Sequence, residues 1–313
     1  MTETFQQQFD KFFEAELLPE LKRVEIIRVK QVLRQVYILV AIIIAFFGAM
    51  ILFNPFLIVV ILMALLVVYV IIFGRKRERF DFKTVYKRIF LDKSSGFLMP
   101  NHEFQPNRYL NADDIKQSGI IEYPTDDIEG EGLVTGMYKA AKVQLSEIHT
   151  RSRERHPDGK VTYETQYRGV LIKVELPDFY EGKTFILPHG NEQFDMFFAS
   201  QYKDINILKP EPVESAYKLS PNFSAVSTSQ EVSIFTNELC EALNNFKKEN
   251  PQGCRVSLSE NCAFIAIPYP DKMLNPGIYS SVIKNDEAWA YASYMFVTKM
   301  IINSILNSGK PMR

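Results

Sequence analysis

Two long uncharged segments near the amino terminus constrain this chain more than any other feature. Residues 36–53 and 56–73 each contain 18 residues without Asp, Glu, Lys, Arg or His. As a helix, each would be about 27 Å long, close to the roughly 30 Å hydrocarbon core of a bilayer. The Asn54-Pro55 pair between them breaks the helical pattern, because proline lacks an N–H and disfavours helical geometry in the residue before it. The pattern predicts a transmembrane helical hairpin over residues 36–73.

Basic residues on both sides of these segments predict their orientation, since Lys and Arg resist translocation. They are Lys22, Arg23, Arg28, Lys30 and Arg34 before the first segment, and Arg75, Lys76, Arg77 and Arg79 after the second. The connection carries no charge, so both termini are expected in the cytoplasm. A cleaved signal peptide is disfavoured, because 35 residues precede the first segment and no small-residue cleavage site follows it.

The remaining charge is unevenly distributed. Residues 74–93, predicted as a basic juxtamembrane helix, contain eight basic and three acidic residues, whereas residues 94–313 contain 22 and 28. Arg75, Lys76, Arg77 and Arg79 are candidate contacts for lipid headgroups, and a role as topology determinants with nonspecific lipid contact is favoured over a specific lipid site. The acidic balance of the larger part and the net charge of −1 argue against nucleic acid as a partner.

Residues 1–35 are predicted to form cytoplasmic helices. Phe5, Phe9, Phe12, Phe13 and Leu17 follow helical spacing, and Pro19 suits the first turn of a second helix over residues 20–35 that can run directly into the first span. The apolar side of the first helix could lie on the membrane surface or pack against protein. Its polar side is acidic and rich in glutamine, which favours packing within the chain or against a partner.

Residues 94–313 are predicted to form a cytoplasmic α+β domain with an antiparallel sheet meander and packed helices. Strands are expected at 143–150, 162–174 and 183–187, with a turn at 156–159, and a strand or a short helix at 194–202. A helix is expected at 231–248, capped by Ser229 or Ser233, then a hairpin of residues 255–258 and 263–268 around Glu260-Asn261, and a closing helix at 288–306.

Two charged segments of this domain are candidate partner-binding sites. The acidic segment contains Asp126, Asp127, Glu129 and Glu131, and the tip of the first predicted hairpin contains Arg151, Arg153 and Arg155. A calcium loop would also concentrate carboxylates, but the acidic segment lacks EF-hand spacing, and a solvated loop explains it better. Gly130, Gly132 and Gly136 do not match a phosphate-binding loop and are expected to permit turns.

No pattern of catalytic residues is evident. His102, His149, His156 and His189 are scattered, and Ser146 and His149 would point to opposite faces of one strand. Cys240, Cys254 and Cys262 cannot form a disulfide framework, and Cys240 is expected in the core of a helix. We therefore expect no cofactor and no metal, and an enzymatic role is the least favoured.

Several short stretches resemble a bacterial membrane family known as domain of unknown function 3137. They are residues 142–149 (KVQLSEIH), 167–172 (YRGVLI), 182–188 (GKTFILP) and 262–268 (CAFIAIP), together with the pair of membrane spans. The resemblance runs from the hairpin to about Tyr279. It implies a protein of the bacterial cytoplasmic (inner) membrane with no assigned activity, and a LemA-type membrane protein as one candidate partner.

Two functions remain open on these grounds. The first is a membrane-anchored cytoplasmic interaction or scaffold module that binds a protein partner or self-associates. The alternative is a membrane-associated domain that senses a lipid or small ligand in an apolar pocket of the sheet, beside the basic cluster at residues 75–79.

Overall fold

The computed structural model describes residues 5–51, 63, 82–123, 125–189, 211–212, 222–227, 235–269, 274, 276–283 and 285–308. The chain divides into two compact units. The sheet unit contains Met1–Phe12, Leu91–Met273 and Asn285–Arg313, and the helical unit contains Phe13–Phe90 and Leu274–Lys284.

A nearly continuous helix begins the chain. Helix α1 (Phe5–Phe12) is followed by a short π-helical segment, Phe13–Leu17, and by helix α2 (Leu18–Ile51). Pro19 lies in the first turn of α2, as predicted, directly after the π-helical segment; the helix begins at Leu18 rather than at residue 20.

The helical run Gln7–Gly48 is long and apolar enough to cross a membrane, with a mean hydropathy of 1.9 over its most apolar window. Residues 36–51 of the first predicted span therefore lie in a helix that continues from the N-terminal segment, as expected. The second span, apart from Met63, and Arg75, Lys76, Arg77 and Arg79 lie outside the described residues, so a two-helix hairpin is not shown.

The sheet unit contains one antiparallel sheet of seven strands, which confirms the α+β prediction. The strands are β1 (His102–Gln105), β2 (Asp127–Tyr138), β3 (Ala141–Arg155), β4 (Val161–Pro188), β5 (Glu211–Pro212), β6 (Phe223–Ser227) and β7 (Arg255–Pro268). Their order is β1-β2-β3-β4-β6-β5, and β7 pairs with β4. The first four strands form an antiparallel meander, but it is not the predicted meander of 143–150, 162–174 and 183–187, because the last two segments are one strand.

Strand β4 is the centre of the sheet and differs from the prediction. The expected strands 162–174 and 183–187 are one strand of 28 residues, which pairs with β3, β6 and β7. The expected hairpin around Glu260-Asn261 is likewise one strand, β7. Glu260 has a φ of 56° opposite Tyr180, where the β4–β7 register shifts. The two strands are paired on both sides of this register shift, at Glu175 and at Lys183, so the ladder is irregular there but does not end.

Strand β2 occupies the segment predicted as a loop with turns. Gly132, with a φ of 72°, lies at the register shift between Glu131 and Val134. A β-carbon at Gly130 would lie 2.7 Å from the Glu147 carbonyl oxygen, so this strand position requires glycine.

Four further helices are described: α3 (Phe82–Gly96), α4 (Ala112–Ser118), α5 (Asn237–Glu249) and α6 (Asn285–Ser308). Helix α6 confirms the predicted closing helix. Helix α5 starts later than predicted, because Thr236 caps it by accepting the Leu239 N–H; the predicted caps Ser229 and Ser233 lie outside the described residues. The segment 194–202 lies outside the described residues.

The apolar side of α1 packs within the sheet unit, as expected for intramolecular packing. The ring of Phe5 lies 4.4 Å from that of Phe296 between centroids, Phe9 lies 5.6 Å from Trp289, and Phe12 lies 5.2 Å from Phe97. A second cluster beneath α4 joins Ile115 to Ile148 and Leu171 of the sheet. Burial of these side chains stabilises the fold by roughly 1.5–3 kcal/mol each.

Candidate interaction site

The β3–β4 hairpin extends beyond its neighbouring strands. Strand β2 pairs with β3 only as far as Arg151, and β7 pairs with β4 only from Gly169. Among the described residues, the segment 152–168 is therefore a ribbon of two strands with no third strand beside it. Its turn closes through the His156 N–H and the Lys160 carbonyl oxygen, 2.9 Å apart, as the turn prediction expected.

One face of this ribbon brings together most of the predicted partner-binding residues. On β3, Arg151, Arg153 and Arg155 lie opposite Thr165, Tyr163 and Val161 of β4, respectively. On the other side of β3, Asp127 of β2 lies opposite Arg151, and Glu129 of β2 lies opposite His149. Residues directly opposite in a sheet share a face, as do alternate residues of one strand. The acidic and basic candidates are thus neighbours on one surface, which we call the ribbon face.

Arg151 is neutralised within the ribbon face. Its Nε donates to Asp127 Oδ2 at 2.9 Å, and its Nη2 also donates to that oxygen. The same Nη2 donates to Glu129 Oε1 at a distance of 2.5 Å. These carboxylates, Asp127 first, raise the pKa of Arg151. The guanidinium also lies 5.6 Å from the centre of the Tyr163 ring. Arg151 therefore joins β2, β3 and β4.

Asp126 closes the open edge of β3. Its Oδ2 accepts the Arg153 N–H at 2.7 Å, and its own N–H donates to the Arg151 carbonyl oxygen at 3.1 Å. Thr125 Oγ1 donates to the same carbonyl oxygen at 2.8 Å. A partner strand could not pair with these backbone groups without displacing Asp126.

Arg153 and Arg155 are the exposed cations of the ribbon face. Neither makes an ion pair with another described residue, and exposed Tyr163 and Val161 lie opposite them. Glu131 is also exposed but lies inside β2, opposite Glu147 and next to the register shift. The available part of the ribbon face is therefore basic, with an aromatic ring.

A second polar cluster lies between α4 and the sheet. Lys173 Nζ lies 2.8 Å from Asp114 Oδ1, and the other oxygen of Asp114 accepts the Asn111 N–H that caps α4. Burial lowers the pKa of Lys173, but the hydrogen bond and charge of Asp114 outweigh it, so the pKa is raised. Glu175 lies 3.2 Å from Lys142 Nζ. The opposite charges in this cluster hold α4 on the sheet.

The core contains a third polar cluster, which the sequence did not indicate. Glu147 of β3 is buried with Tyr269, at the end of β7, and Tyr291 of α6. Burial first, and then the Glu147 carboxylate, raise the pKa of Tyr269, and burial also raises the pKa of Tyr291. A carboxylate among tyrosine hydroxyls in the interior acts as a structural polar contact.

The other sequence candidates do not form a catalytic group. Ser146 Oγ accepts the Leu110 N–H, whereas His149 Nε2 lies 2.9 Å from Thr165 Oγ1, so the two do not meet. All three cysteines are buried, as predicted for Cys240, and burial raises the pKa of Cys254 to about 12. Within the described ranges, no group of three or more His, Cys, Asp or Glu side chains could hold a metal ion.

The fold defines a class of protein: an α+β domain with an antiparallel seven-stranded sheet, which follows a long apolar helix in the sequence. Residues 165–306 match the family model of DUF3137, described as a protein of unknown function. The match confirms the predicted resemblance over that part of the chain, which runs from β4 to α6.

No curated protein sequence matches the chain. Among solved structures, the crystal structure of the mycobacterial trehalose monomycolate transport factor A, TtfA, is similar with a TM-score of 0.35 and 8% identity. The alignment covers 71% of this chain and 95% of that one. Similarity of this size does not establish a shared fold.

Proposed function

We propose that the protein is a membrane-anchored interaction module. In this proposal α2 holds the α+β domain at the cytoplasmic face of the bacterial inner membrane, where the ribbon face binds a protein partner or a second copy of the chain. The single observation that carries the proposal is the apolar part of α2, whose surface is not covered within the structure. Large apolar side chains on such a helix require a lipid or protein environment.

The apolar surface of α2 supports anchoring on energetic grounds. Leu39, Ile44 and Phe47 are exposed, and burying a side chain of this kind contributes roughly 1.5–3 kcal/mol. A helix of 18 uncharged residues would place many such side chains in lipid.

The composition of the ribbon face supports binding of a protein. Arginine and tyrosine are enriched at protein interfaces, because each combines apolar area with a directional polar group. Arg153, Arg155 and Tyr163 lie together there, with Arg151 held in place by its two carboxylates. A LemA-type membrane protein is one candidate partner, and sensing of a lipid or small ligand stays the alternative function.

Anchoring is tested by fractionating cells that produce the full chain and washing the membranes with alkaline carbonate. The wild-type chain should remain in the pellet, and a chain lacking residues 36–73 should move to the supernatant. A control with Val161→Asp and Tyr163→Asp, outside the apolar segments, should remain in the pellet. Complete release of the wild-type chain by carbonate would refute the anchor.

The ribbon face is tested by a photo-crosslinking amino acid at position 163, on that face, or at position 162, on the opposite face. We expect an adduct at 163 that is several-fold weaker in the Arg153→Ser/Arg155→Ser chain. The matched control is Glu154→Ser, which changes a charge on the opposite face. Arg151 is left intact, because its loss would disturb the pairing of β2 with β3. Equal amounts of adduct from positions 162 and 163 would show that the partner does not prefer the ribbon face, which would contradict the proposed binding site.

A further inference from the structure

The loop of residues 276–283 presents one exposed aromatic side chain. The Ser280 N–H donates to the Gly277 carbonyl oxygen at 3.0 Å, which closes a turn with Ile278 and Tyr279 at its tip. Tyr279 is 78% exposed, although its ring is largely apolar. The turn thus leaves most of the Tyr279 side chain exposed.

A largely buried ion pair fixes this loop on α2. Arg28 donates from Nη2 to Glu25 Oε1 at 2.6 Å and from Nε to Glu25 Oε2 at 2.8 Å. The remaining donor, Nη1, reaches the Ile278 carbonyl oxygen at 2.6 Å, and Glu25 Oε2 accepts the Val282 N–H at 3.1 Å. The loop is therefore attached at two points, Ile278 and Val282, to one helical turn of α2.

The attachment places Tyr279 at the start of the apolar segment. Its hydroxyl lies 3.4 Å from Gln35 Oε1, and residue 36 begins the 18 uncharged residues. Tyr37, two positions beyond Gln35, is itself 70% exposed. Two residues along a helix advance it by only about 3 Å, so the two tyrosines lie at nearly the same height along α2.

Tyrosines at this height are suited to the boundary between lipid and water. The ring of tyrosine is apolar and its hydroxyl is polar, so both are satisfied in the headgroup region, where tyrosine and tryptophan are enriched. We propose that the loop of residues 276–283 contacts the bilayer and that Tyr279 enters its headgroup region at about the same depth as Tyr37. This inference rests on the proposed anchoring and adds a lipid contact from a segment distant in sequence.

The test uses the full chain with Trp289→Phe, which removes its single tryptophan. Tryptophan is then introduced by Tyr279→Trp, by Tyr37→Trp as the positive control, or by Tyr163→Trp as an exposed control on the ribbon. Each chain is reconstituted into phosphatidylcholine–phosphatidylglycerol vesicles that carry a nitroxide near the headgroup end of the acyl chain. Circular dichroism confirms that each variant is folded.

We expect strong quenching and a blue-shifted emission for the tryptophans at 279 and 37, and little quenching at 163. Quenching at 37 without quenching at 279 would overturn the loop contact while leaving the anchor intact. Quenching at neither position would overturn both proposals. Equal quenching at all three positions would also overturn the inference, because the loop would then not be distinguished from the ribbon.

A second variant keeps the inference testable if Trp289→Phe does not fold. Tyr279→Cys can carry a nitroxide in the otherwise unchanged chain, because the three native cysteines are buried. In vesicles its collision rate with oxygen should exceed that with a polar nickel complex. The reverse order would place residue 279 in water and refute the contact.

Discussion

The Arg28 guanidinium binds two partners that are far from each other in sequence, the Glu25 carboxylate and the Ile278 carbonyl oxygen. A Glu–Arg pair three residues apart on an exposed helix contributes only a few tenths of a kcal/mol. Here the pair is largely buried, and each member also binds the backbone of the loop, at Ile278 and Val282. Removal of either side chain would therefore leave both a charge and a backbone group without a partner, at a cost of roughly 1–3 kcal/mol.

Glu25 makes this attachment dependent on pH. The hydrogen bonds from Arg28, the largest cause, hold the pKa of Glu25 below its usual value. A lowered pKa stabilises the folded state above the unfolded value of about 4.3, and that contribution is lost as the pH falls through the lower, folded pKa. We expect a spin label at Tyr279→Cys to become more mobile as the pH falls through the lowered pKa of Glu25, which lies below the ordinary glutamate value of about 4.3.

The control for this titration is Glu25→Gln, which keeps the shape of the side chain and removes its charge. In this variant the label should already be more mobile at neutral pH and should show a much smaller change on acidification. A label that responds to acid equally in both chains would show that another group controls the loop.

At the scale of the elements, the pairing of β4 with β7 depends on Gly169. A β-carbon there would collide with the Ile267 carbonyl oxygen and lie 2.8 Å from the α-carbon of Pro268. Both are backbone atoms of β7, which cannot rotate away. We expect Gly169→Ala to lower the free energy of unfolding by about 1–3 kcal/mol or more, measured by urea denaturation.

Gly96→Ala is the matched control in the same unit. Its β-carbon would meet only His102 Cε1, at 3.6 Å, which is ordinary van der Waals contact. This variant should be as stable as the wild type or slightly more stable, since alanine suits a helix end no worse than glycine. Equal losses in both variants would contradict the role assigned to the β4–β7 approach.

The sequence predicts elements well where the signal is local. Helix α6 and the turn at the tip of the β3–β4 hairpin follow from apolar spacing and from turn residues close in the chain. Strand β2 could not be found in this way, because its acids and glycines are typical of loops. What stabilises it is Arg151 on β3, which lies 24 residues after Asp127 and neutralises it across the sheet.

The same limit applies to β4 and to the candidate site. Pro177 and Gly182 are locally strand breakers, yet β4 continues through them, with β7 paired to it on both sides of this stretch. Arg153 and Arg155 were found from the sequence because they are exposed at the tip. Arg151 differs from them because it is paired with Asp127, which lies opposite it on β2. This pairing depends on the register of the two strands, and the distribution of charges along the sequence does not reveal the register.

At the scale of the whole molecule, the first and last described helices are in contact. Helix α1 packs its phenylalanines against Trp289 and Phe296 of α6, so the first and last helices belong to one unit. Phe9 is buried among these rings and near Phe97. The N-terminal helix is thus part of the sheet unit, although the chain that follows it belongs to the other unit.

Phe9→Ala should therefore destabilise the sheet unit by about 3–5 kcal/mol through the cavity that it leaves. The control is Phe179→Ala, since Phe179 is 74% exposed and its loss should change stability by no more than about 0.5 kcal/mol. Thermal denaturation followed by near-ultraviolet circular dichroism measures both. An unchanged melting temperature for Phe9→Ala would show that α1 does not contribute to the unit.

The position of β4 also decides when this protein can finish folding during its synthesis. Strand β4 is complete at Pro188, but its partner β7 ends only at Pro268. At roughly 5–20 residues per second, the ribosome needs on the order of ten seconds to make the intervening chain. Throughout that interval one edge of the central strand is open to wrong partners. Substitutions that weaken β7 will therefore reduce the yield of newly made protein more than the lifetime of the molecules that have already folded.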